Sequence, residues 1–234
     1  MFKCKIADFI IEIDNKYPYS EKVCCDYLYT GDEKCDLHIS LSDKEIEAEH
    51  LPDQSSSLPL MEFSGIYRKL NDFLLDNNAF VMHCALISYN GKGTAFLALS
   101  GTGKSTHTSY WKNLYKEKVV IINGDKPIIR IKDGKAVAYG TPWSGKEGWQ
   151  ANTSAELYNI AFVNRSESNY VREITSDEAL PFLMQQLLIP NDKIKMLAFL
   201  DIVNHLLSKC KLYNIYCNMS EDAARVACEA LYSE

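Results

Sequence analysis

Apolar and polar residues alternate over short distances in the first 60 residues, a pattern typical of β-strands. Turn residues separate the apolar runs at Pro18, at Gly31-Asp32 and at Pro52-Asp53. The alternation predicts three short strands, over residues 6–13, 26–29 and 37–41. A polar run at 53–57 closes the region, so residues 1–60 are predicted to form a small β-rich N-terminal part.

A helical period replaces the alternation after this region. Apolar residues recur every three or four positions at Phe63, Ile66, Leu70 and Leu74, which predicts an amphipathic helix over 60–75. The chain that follows is predicted to form, in order, strands over 80–87 and 93–99, a helix over 104–115, a strand over 119–122, and a hairpin of strands over 127–132 and 135–139.

The last third of the chain alternates predicted strands with predicted helices. Thr175 and Glu178 have the spacing of a capping box, which predicts a helix from there through residue 188, before Pro190. Ser220 stands where the N-cap of a final helix is expected. The other predicted elements are strands over 159–163, 170–174 and 212–217 and a helix over 193–209. The whole pattern predicts an α/β fold with a mixed sheet, divided into the β-rich part (1–60) and a main domain (61–234).

Length and charge narrow the class of protein. The 234 residues suffice for a buried core, and 31 acidic against 25 basic residues give a net charge of −6. This balance argues against broad electrostatic binding to nucleic acid or to anionic membranes. No run has the length of a membrane span or the pattern of a signal peptide, so we expect a cytoplasmic protein.

The eight cysteines do not have the spacing of a metal site. None forms a Cys-x-x-Cys pair, and Cys24 and Cys25 are adjacent, which is poor geometry for sharing one tetrahedral ion. Without a secretory signal, reduced thiols packed as small apolar side chains are the expectation. The sequence therefore predicts neither a structural metal nor a disulfide.

Glycines cluster in one part of the chain, where nine of the eleven lie between Gly91 and Gly148. Within this part, the residues from Ala98 to Thr106 match the phosphate-binding loop G-x-x-x-x-G-K-[ST], with alanine replacing the first glycine. A predicted strand precedes the loop and a predicted helix follows it, which is the context that the motif requires. The predicted nucleotide-binding residues are Ser100, Gly101, Thr102, Gly103, Lys104, Ser105 and Thr106.

Each residue type in this loop suits the binding of phosphate. Gly101 and Gly103 let the backbone curl so that its N–H groups converge on phosphate oxygens. Lys104 adds a positive charge at the β- and γ-phosphates, and the hydroxyl of Ser105 can bind Mg²⁺. The helix that begins here directs its positive end at the same anion. We therefore expect ATP and Mg²⁺ as cofactors.

Three segments in this order resemble the HPr-kinase-related branch of the phosphoenolpyruvate-carboxykinase-like P-loop superfamily. They are the loop through Thr108, the stretch from Ile121 to Pro127 that contains Gly124-Asp125, and the stretch from Tyr139 to Lys146. The predicted strand that carries His83 is similar to the His-containing strand before the loop in HPr kinases. The resemblance covers residues 80–150 and implies a mixed-sheet P-loop core.

The resemblance also implies an ATP-dependent kinase that transfers the γ-phosphoryl group to a hydroxyl. HPr kinases carry paired aspartates where this chain has Gly124-Asp125, so one acid remains, and no acid in 139–146 matches their later glutamate. The implied catalytic residues are Asp125, His83, Lys104 and Lys146, and the implied metal ligands are Ser105 and Asp125. Asp125 follows an apolar strand, where a carboxylate can bind Mg²⁺ or accept a hydroxyl proton.

Two other functions stay open at this stage. One is a nucleotide-binding sensor or partner protein with little turnover, which the missing acid favours. The other is an enzyme similar to phosphoenolpyruvate carboxykinase, for which the chain is short and offers no His/Lys/Asp cluster. The acceptor (a protein serine or a small molecule), the nucleotide base and the oligomeric state are also open, and a homo-oligomer is compatible with the sequence.

Overall fold

The computed structural model describes residues 1–50, 57–99 and 101–233, which form both helices and strands. Two predicted features, most of the polar run 53–57 and the loop residue Ser100, lie outside the described residues. The described strands are β1 (Phe2–Ile6), β2 (Phe9–Asp14), β3 (Leu37–Ser40), β4 (Ala79–Val81), β5 (Ala85–Tyr89), β6 (Lys92–Leu97), β7 (Val119–Asn123), β8 (Ile128–Lys132), β9 (Lys135–Tyr139), β10 (Ser154–Arg165), β11 (Tyr170–Glu173) and β12 (Lys211–Cys217). The described helices are α1 (Pro18–Val23), α2 (Asp43–Glu47), α3 (Leu58–Leu75), α4 (Lys104–Tyr115), α5 (Ser176–Met184), α6 (Lys193–Lys209) and α7 (Glu221–Tyr232), with short 3₁₀ helices at Cys25–Tyr27 and Lys116–Lys118.

The first three strands form a small sheet of their own. β1 pairs antiparallel with β2, and β2 pairs parallel with β3. The single strand predicted over 6–13 is wrong, because Ala7 and Asp8 adopt positive φ angles of 51° and 67° and turn the chain back so that Ile6 pairs with Phe9. The strand predicted over 26–29 is also wrong, since its first half lies in a 3₁₀ helix and Leu28 makes only an isolated bridge.

Helix α3 connects the small sheet to the rest of the molecule. It was predicted from its apolar spacing and begins two residues before the predicted start. Its buried residues Ile66, Leu70 and Leu74 share one apolar cluster with the small sheet and with Trp143. Trp143 stacks on Phe63 of the helix with ring centroids 4.9 Å apart, and its Nε1–H donates to the Phe63 carbonyl oxygen at 3.2 Å.

The remaining nine described strands form one large mixed sheet. Along one path their order is β4-β8-β9-β10-β6-β5-β7, and β11 and β12 branch from β10. The branch arises because β10 has twelve residues. Its first part pairs antiparallel with β9, and its second part pairs parallel with β12, while β6 pairs parallel along its other side. The strand predicted over 159–163 is therefore only the second half of β10.

Helices cover both faces of this large sheet. On β6, Ala95 and Leu97 face the cluster that contains α5 and α6, whereas Phe96 faces the cluster that contains Trp111 of α4 and the alanines of α7. Successive side chains of a strand point to opposite faces, so β6 is buried on both sides. The predicted α/β fold with a mixed sheet and a β-rich N-terminal sheet is confirmed.

One predicted strand divides into two at a place that matters for the site. Residues 80–87 were predicted as one strand, but β4 pairs with β8 while β5 lies between β6 and β7. Between them, the N–H of His83 donates to the Gln186 carbonyl oxygen at 2.8 Å, and the N–H of Cys84 donates to the Asp125 carbonyl oxygen at 3.0 Å. His83 is therefore in a connection, not in a buried strand. The helix predicted through 188 ends at Met184 for the same reason, since the next residues pair with this connection.

Candidate functional site

The loop between β6 and α4 has the backbone that a phosphate-binding loop needs. Gly101 and Gly103 adopt positive φ angles of 77° and 114°, which L side chains rarely tolerate. Between them, the N–H of Thr102 donates to the Leu99 carbonyl oxygen at 3.1 Å and closes a tight turn. Gly103 is also the N-cap of α4 and places Lys104, Ser105 and Thr106 in its first turn. The first N–H groups of a helix lack partners within it and carry its positive end.

Lys104 is a cation without a partner in the described part of the chain. Its Nζ is buried and donates to no hydrogen-bond acceptor there. Burial lowers the pKa of Lys104, although the negative charges of Asp125 and Glu147 oppose this shift. A buried ammonium is costly unless it is paired. The arrangement fits an anionic ligand at the loop, because phosphate oxygens would satisfy Lys104 and the first turn of α4 together.

A buried histidine anchors the start of α4 to strand β6. His107 lies near the start of α4 and has 2% of its surface exposed. Its Nε2 accepts a hydrogen bond from Nε1–H of Trp111 at 3.0 Å, and its ring packs edge-on against Phe96 of β6. Burial lowers the pKa of His107 to about 4. The imidazole is therefore neutral at pH 7 and fixes the helix to the strand before the loop.

Asp125 and His83 form the second half of the site. Nε2 of His83 lies 3.0 Å from Oδ1 of Asp125, and Nζ of Lys126 lies 3.8 Å from Oδ2. Burial tends to raise the pKa of Asp125, but the hydrogen bond from His83 and the positive charges of Lys126 and Lys104 outweigh it. The pKa of Asp125 therefore lies below its ordinary value, and the carboxylate is ionised at neutral pH, as a metal ligand or proton acceptor must be.

The turn that presents Asp125 is held by the buried side chain of Asn123. Its Oδ1 accepts the N–H groups of Asp125 at 2.9 Å and Lys126 at 2.7 Å, and its Nδ2 donates to the Thr141 carbonyl oxygen at 2.9 Å. The hydroxyl of Thr141 donates in turn to the Lys126 carbonyl oxygen at 2.7 Å. Thr141 and Trp143 are both buried in this framework.

The segment after Trp143 packs directly on the turn. A Cβ atom built on Gly145, which has a φ of 74°, would lie 3.0 Å from Cβ of Asp125. A Cβ atom built on Gly124 would lie 2.9 Å from the Ser144 carbonyl oxygen and 3.4 Å from Cβ of Trp149. Position 124 therefore has no room for a second acid beside Asp125, because the neighbouring backbone occupies that space.

These elements enclose one cavity of about 560 Å³. It brings together His83, Lys104, Ser105, Asp125 and the exposed Lys146, with Gly101, Gly103 and Thr106 also at its wall. Thr102 borders an adjoining cavity on the other side of the loop. Among the residues that the structure describes, no group of three His, Cys, Asp or Glu side chains could hold a metal ion by itself. A magnesium ion here would have to take ligands from bound phosphates, as Mg²⁺ commonly does.

Sequence reasoning missed two residues of this site. Glu147 lines the cavity one residue beyond the stretch in which an acid was sought, and its place in a glycine-rich loop next to Lys146 was the available signal. Arg165, at the end of β10, donates from Nε to the Thr102 carbonyl oxygen at 3.1 Å and from Nη2 to the Gly101 carbonyl oxygen. It steadies the loop from a position 63 residues along the chain, for which the sequence offers no local signal.

Comparison with solved structures finds structural likenesses to other chains. The chain is similar to the HPr(Ser) kinase/phosphatase from Coxiella burnetii with a TM-score of 0.37 and 8% sequence identity, over 64% of this chain and 95% of that one. No protein-family model and no curated protein matches the sequence. None of the described helices has the length and apolar character needed to cross a membrane.

Proposed function

We propose that this protein is an ATP-dependent kinase that transfers the γ-phosphoryl group to a hydroxyl of a protein or small-molecule acceptor. The observation that carries the proposal is the buried Nζ of Lys104, which has no hydrogen-bond partner among the described residues and lies in a glycine loop at the same cavity as the Asp125–His83 pair. A cation of this kind matches a phosphate group, and an ionised carboxylate across the cavity matches a phosphoryl-transfer site.

The residues of the loop would hold the nucleotide. The backbone N–H groups of 101–106 and the ammonium of Lys104 would bind the β- and γ-phosphates, and Ser105 with Asp125 would hold the metal ion. Bound Mg·ATP would supply the phosphoryl group and charge neutralisation at the phosphates. Lys146 is exposed at the rim of the cavity and would add positive charge to the phosphates from solvent.

Asp125 would orient the acceptor and take its proton. Its lowered pKa makes it a weak base, so its main contribution is to hold the metal ion and the hydroxyl in line with the phosphate. His83 would position Asp125 through the 3.0 Å hydrogen bond. The turn held by Asn123 keeps Asp125 from moving when the acceptor binds.

A second candidate function is a nucleotide-binding sensor with little turnover. The close approach of Gly124 to the Ser144 carbonyl oxygen favours it, because no second acid fits beside Asp125. Turnover of Mg·ATP by the purified protein, measured with a panel of protein and small-molecule acceptors, separates the two. Phosphorylated acceptor that disappears with Lys104→Ala supports the kinase. Intact nucleotide binding without turnover for any acceptor contradicts it and supports the sensor.

A further inference from the structure

A second cavity, of about 590 Å³, adjoins the phosphate loop and does not include Asp125 in its wall. It borders Ala98, Leu99 and Gly101, which also border the cavity that contains Lys104. Because the two cavities share these wall residues, one extended molecule could reach from one cavity into the other. The rest of the wall comes from the ends of β10 and β12 and from α5 with the residues after it.

The wall of this cavity suits a flat, uncharged ring. Phe182 and Leu99 are 50% and 66% exposed, although both are large apolar side chains, and they stand at the wall with the buried ring of Phe162. The rings of Phe162 and Phe182 lie 5.8 Å apart at an angle of 51°. Aromatic side chains of this kind supply stacking surfaces for nucleobases.

The two cavities differ in the charged side chains that line them. The described residues that line this second cavity include no acid and a single basic side chain, Arg165, whose guanidinium is already bound to the carbonyl oxygens of Gly101 and Thr102. Phosphate groups would therefore find no free cation among the described residues of this cavity. Nζ of Lys104, at the wall of the first cavity, has no hydrogen-bond partner in the described chain.

One polar group at the wall lacks a partner. Oε1 of Gln186 is buried and, within the described chain, accepts no hydrogen bond. Leaving a buried acceptor unpaired is unfavourable, so a ligand in the cavity that donated a hydrogen bond to this oxygen would gain specificity. The exocyclic amine of adenine is such a donor, and the carbonyl of hypoxanthine at the same ring position is not.

We infer that this second cavity, with Phe182 as its stacking surface and Gln186 at its polar edge, binds the adenine ring of a nucleotide whose phosphates lie at Lys104. The inference rests on the proposed function, since it requires nucleotide at the loop. It assigns the base preference to a part of the fold that the phosphate-loop motif does not include.

The experiment compares Mg²⁺-loaded ATP, inosine triphosphate and inorganic tripolyphosphate by isothermal titration calorimetry on the full chain. We expect wild type to bind ATP at least about tenfold more tightly than tripolyphosphate, because stacking adds to the phosphate contacts. Phe182→Ala should lose most of this advantage and leave tripolyphosphate affinity unchanged. Leu197→Ala, at an exposed apolar position on α6 that does not line the cavity, is the control and should change neither affinity.

A substitution of Gln186 tests the polar edge of the cavity. Wild type should prefer ATP over inosine triphosphate several-fold, and Gln186→Leu should abolish that preference. Circular dichroism of each variant checks that it is folded.

The outcomes separate this inference from the proposed function. Tripolyphosphate binding equal to ATP binding in wild type, or an equal loss of both in Phe182→Ala, overturns the base site alone. Absence of binding by all three probes overturns nucleotide binding at the loop, and the base site with it.

Discussion

Nε2 of His83 lies 3.0 Å from Oδ1 of Asp125, although the two residues belong to separate segments that meet through the backbone hydrogen bond from Cys84 to Asp125. The pair therefore forms only when the connection between β4 and β5 lies against the turn after β7. This contact makes Asp125 the residue whose replacement tests the chemistry.

Asp125→Asn should lower phosphoryl transfer at least about a hundredfold, because it removes the charge that holds the metal ion and orients the acceptor. Nucleotide affinity should change far less, since the loop contacts do not pass through Asp125. Steady-state turnover and calorimetry measure the two quantities. Asp201→Asn, at an exposed position on α6, is the control, and His83→Gln should cause a smaller loss than Asp125→Asn. Equal losses of affinity and turnover in Asp125→Asn would contradict this role.

The Lys104→Met substitution should keep the stability of the unliganded protein and abolish its stabilisation by nucleotide. The substitution removes a buried ammonium that has no hydrogen-bond partner in the described part of the chain, so the unliganded protein should melt at the same temperature or higher. The stabilisation by Mg·ATP, which follows RT ln(1 + [L]/Kd), should disappear. Thermal melts with and without nucleotide measure both effects. The exposed Lys193→Met on α6 is the matched control, and an undiminished nucleotide shift in Lys104→Met would refute the loop as the phosphate site.

Gly145 and Gly148 give a matched pair of backbone substitutions. Both have positive φ, at 74° and 64°, so alanine at either position should cost about 1–2 kcal/mol of stability. Only at Gly145 would the new methyl group contact Asp125, since a Cβ atom on Gly148 meets nothing within 4 Å. Gly145→Ala should therefore reduce turnover strongly and Gly148→Ala weakly at comparable melting temperatures. Similar turnover in the two variants would mean that the segment does not position Asp125.

His107 makes stability depend on pH in a defined window. Its folded pKa of about 4 lies below the ordinary value of 6.5, so the unfolded chain binds more protons between these values. Stability should therefore fall as the pH drops from about 6.5 to 4. His107→Gln should flatten this part of the curve, apart from its own cost in packing. Denaturant unfolding across that range tests it, and an unchanged slope in the variant would contradict a buried neutral imidazole.

Local signals in the sequence were sufficient for much of the fold. Helix α3 follows from apolar spacing, and α4 and α6 have their predicted bounds. The hairpin of β8 and β9 follows from Asp133-Gly134, which adopts positive φ angles of 51° and 72°. The loop at Gly101 and Gly103 follows from its motif. These features depend on residues that are close in the chain, so a single sequence is enough to predict them.

Features that depend on distant neighbours escaped prediction. The apolar run through His83 contains no glycine or proline, so nothing in it indicates that β4 and β5 pair with different strands. The hairpin turn at Ala7-Asp8 lacks the usual glycine. The contacts of Arg165 with the loop and the approach of Gly145 to Asp125 arise only when the sheet is assembled.

The packing around Gly124 determines the order in which substitutions could be introduced at this turn. Its N–H donates to the Trp149 carbonyl oxygen at 2.9 Å, and any side chain there would meet the Ser144 carbonyl oxygen. A designer who wanted paired acids at 124 and 125 would have to displace the segment 144–149 first, because the acid alone would disrupt the turn. The two changes are thus epistatic, and a one-step search through single variants would discard the acid before its benefit could be seen.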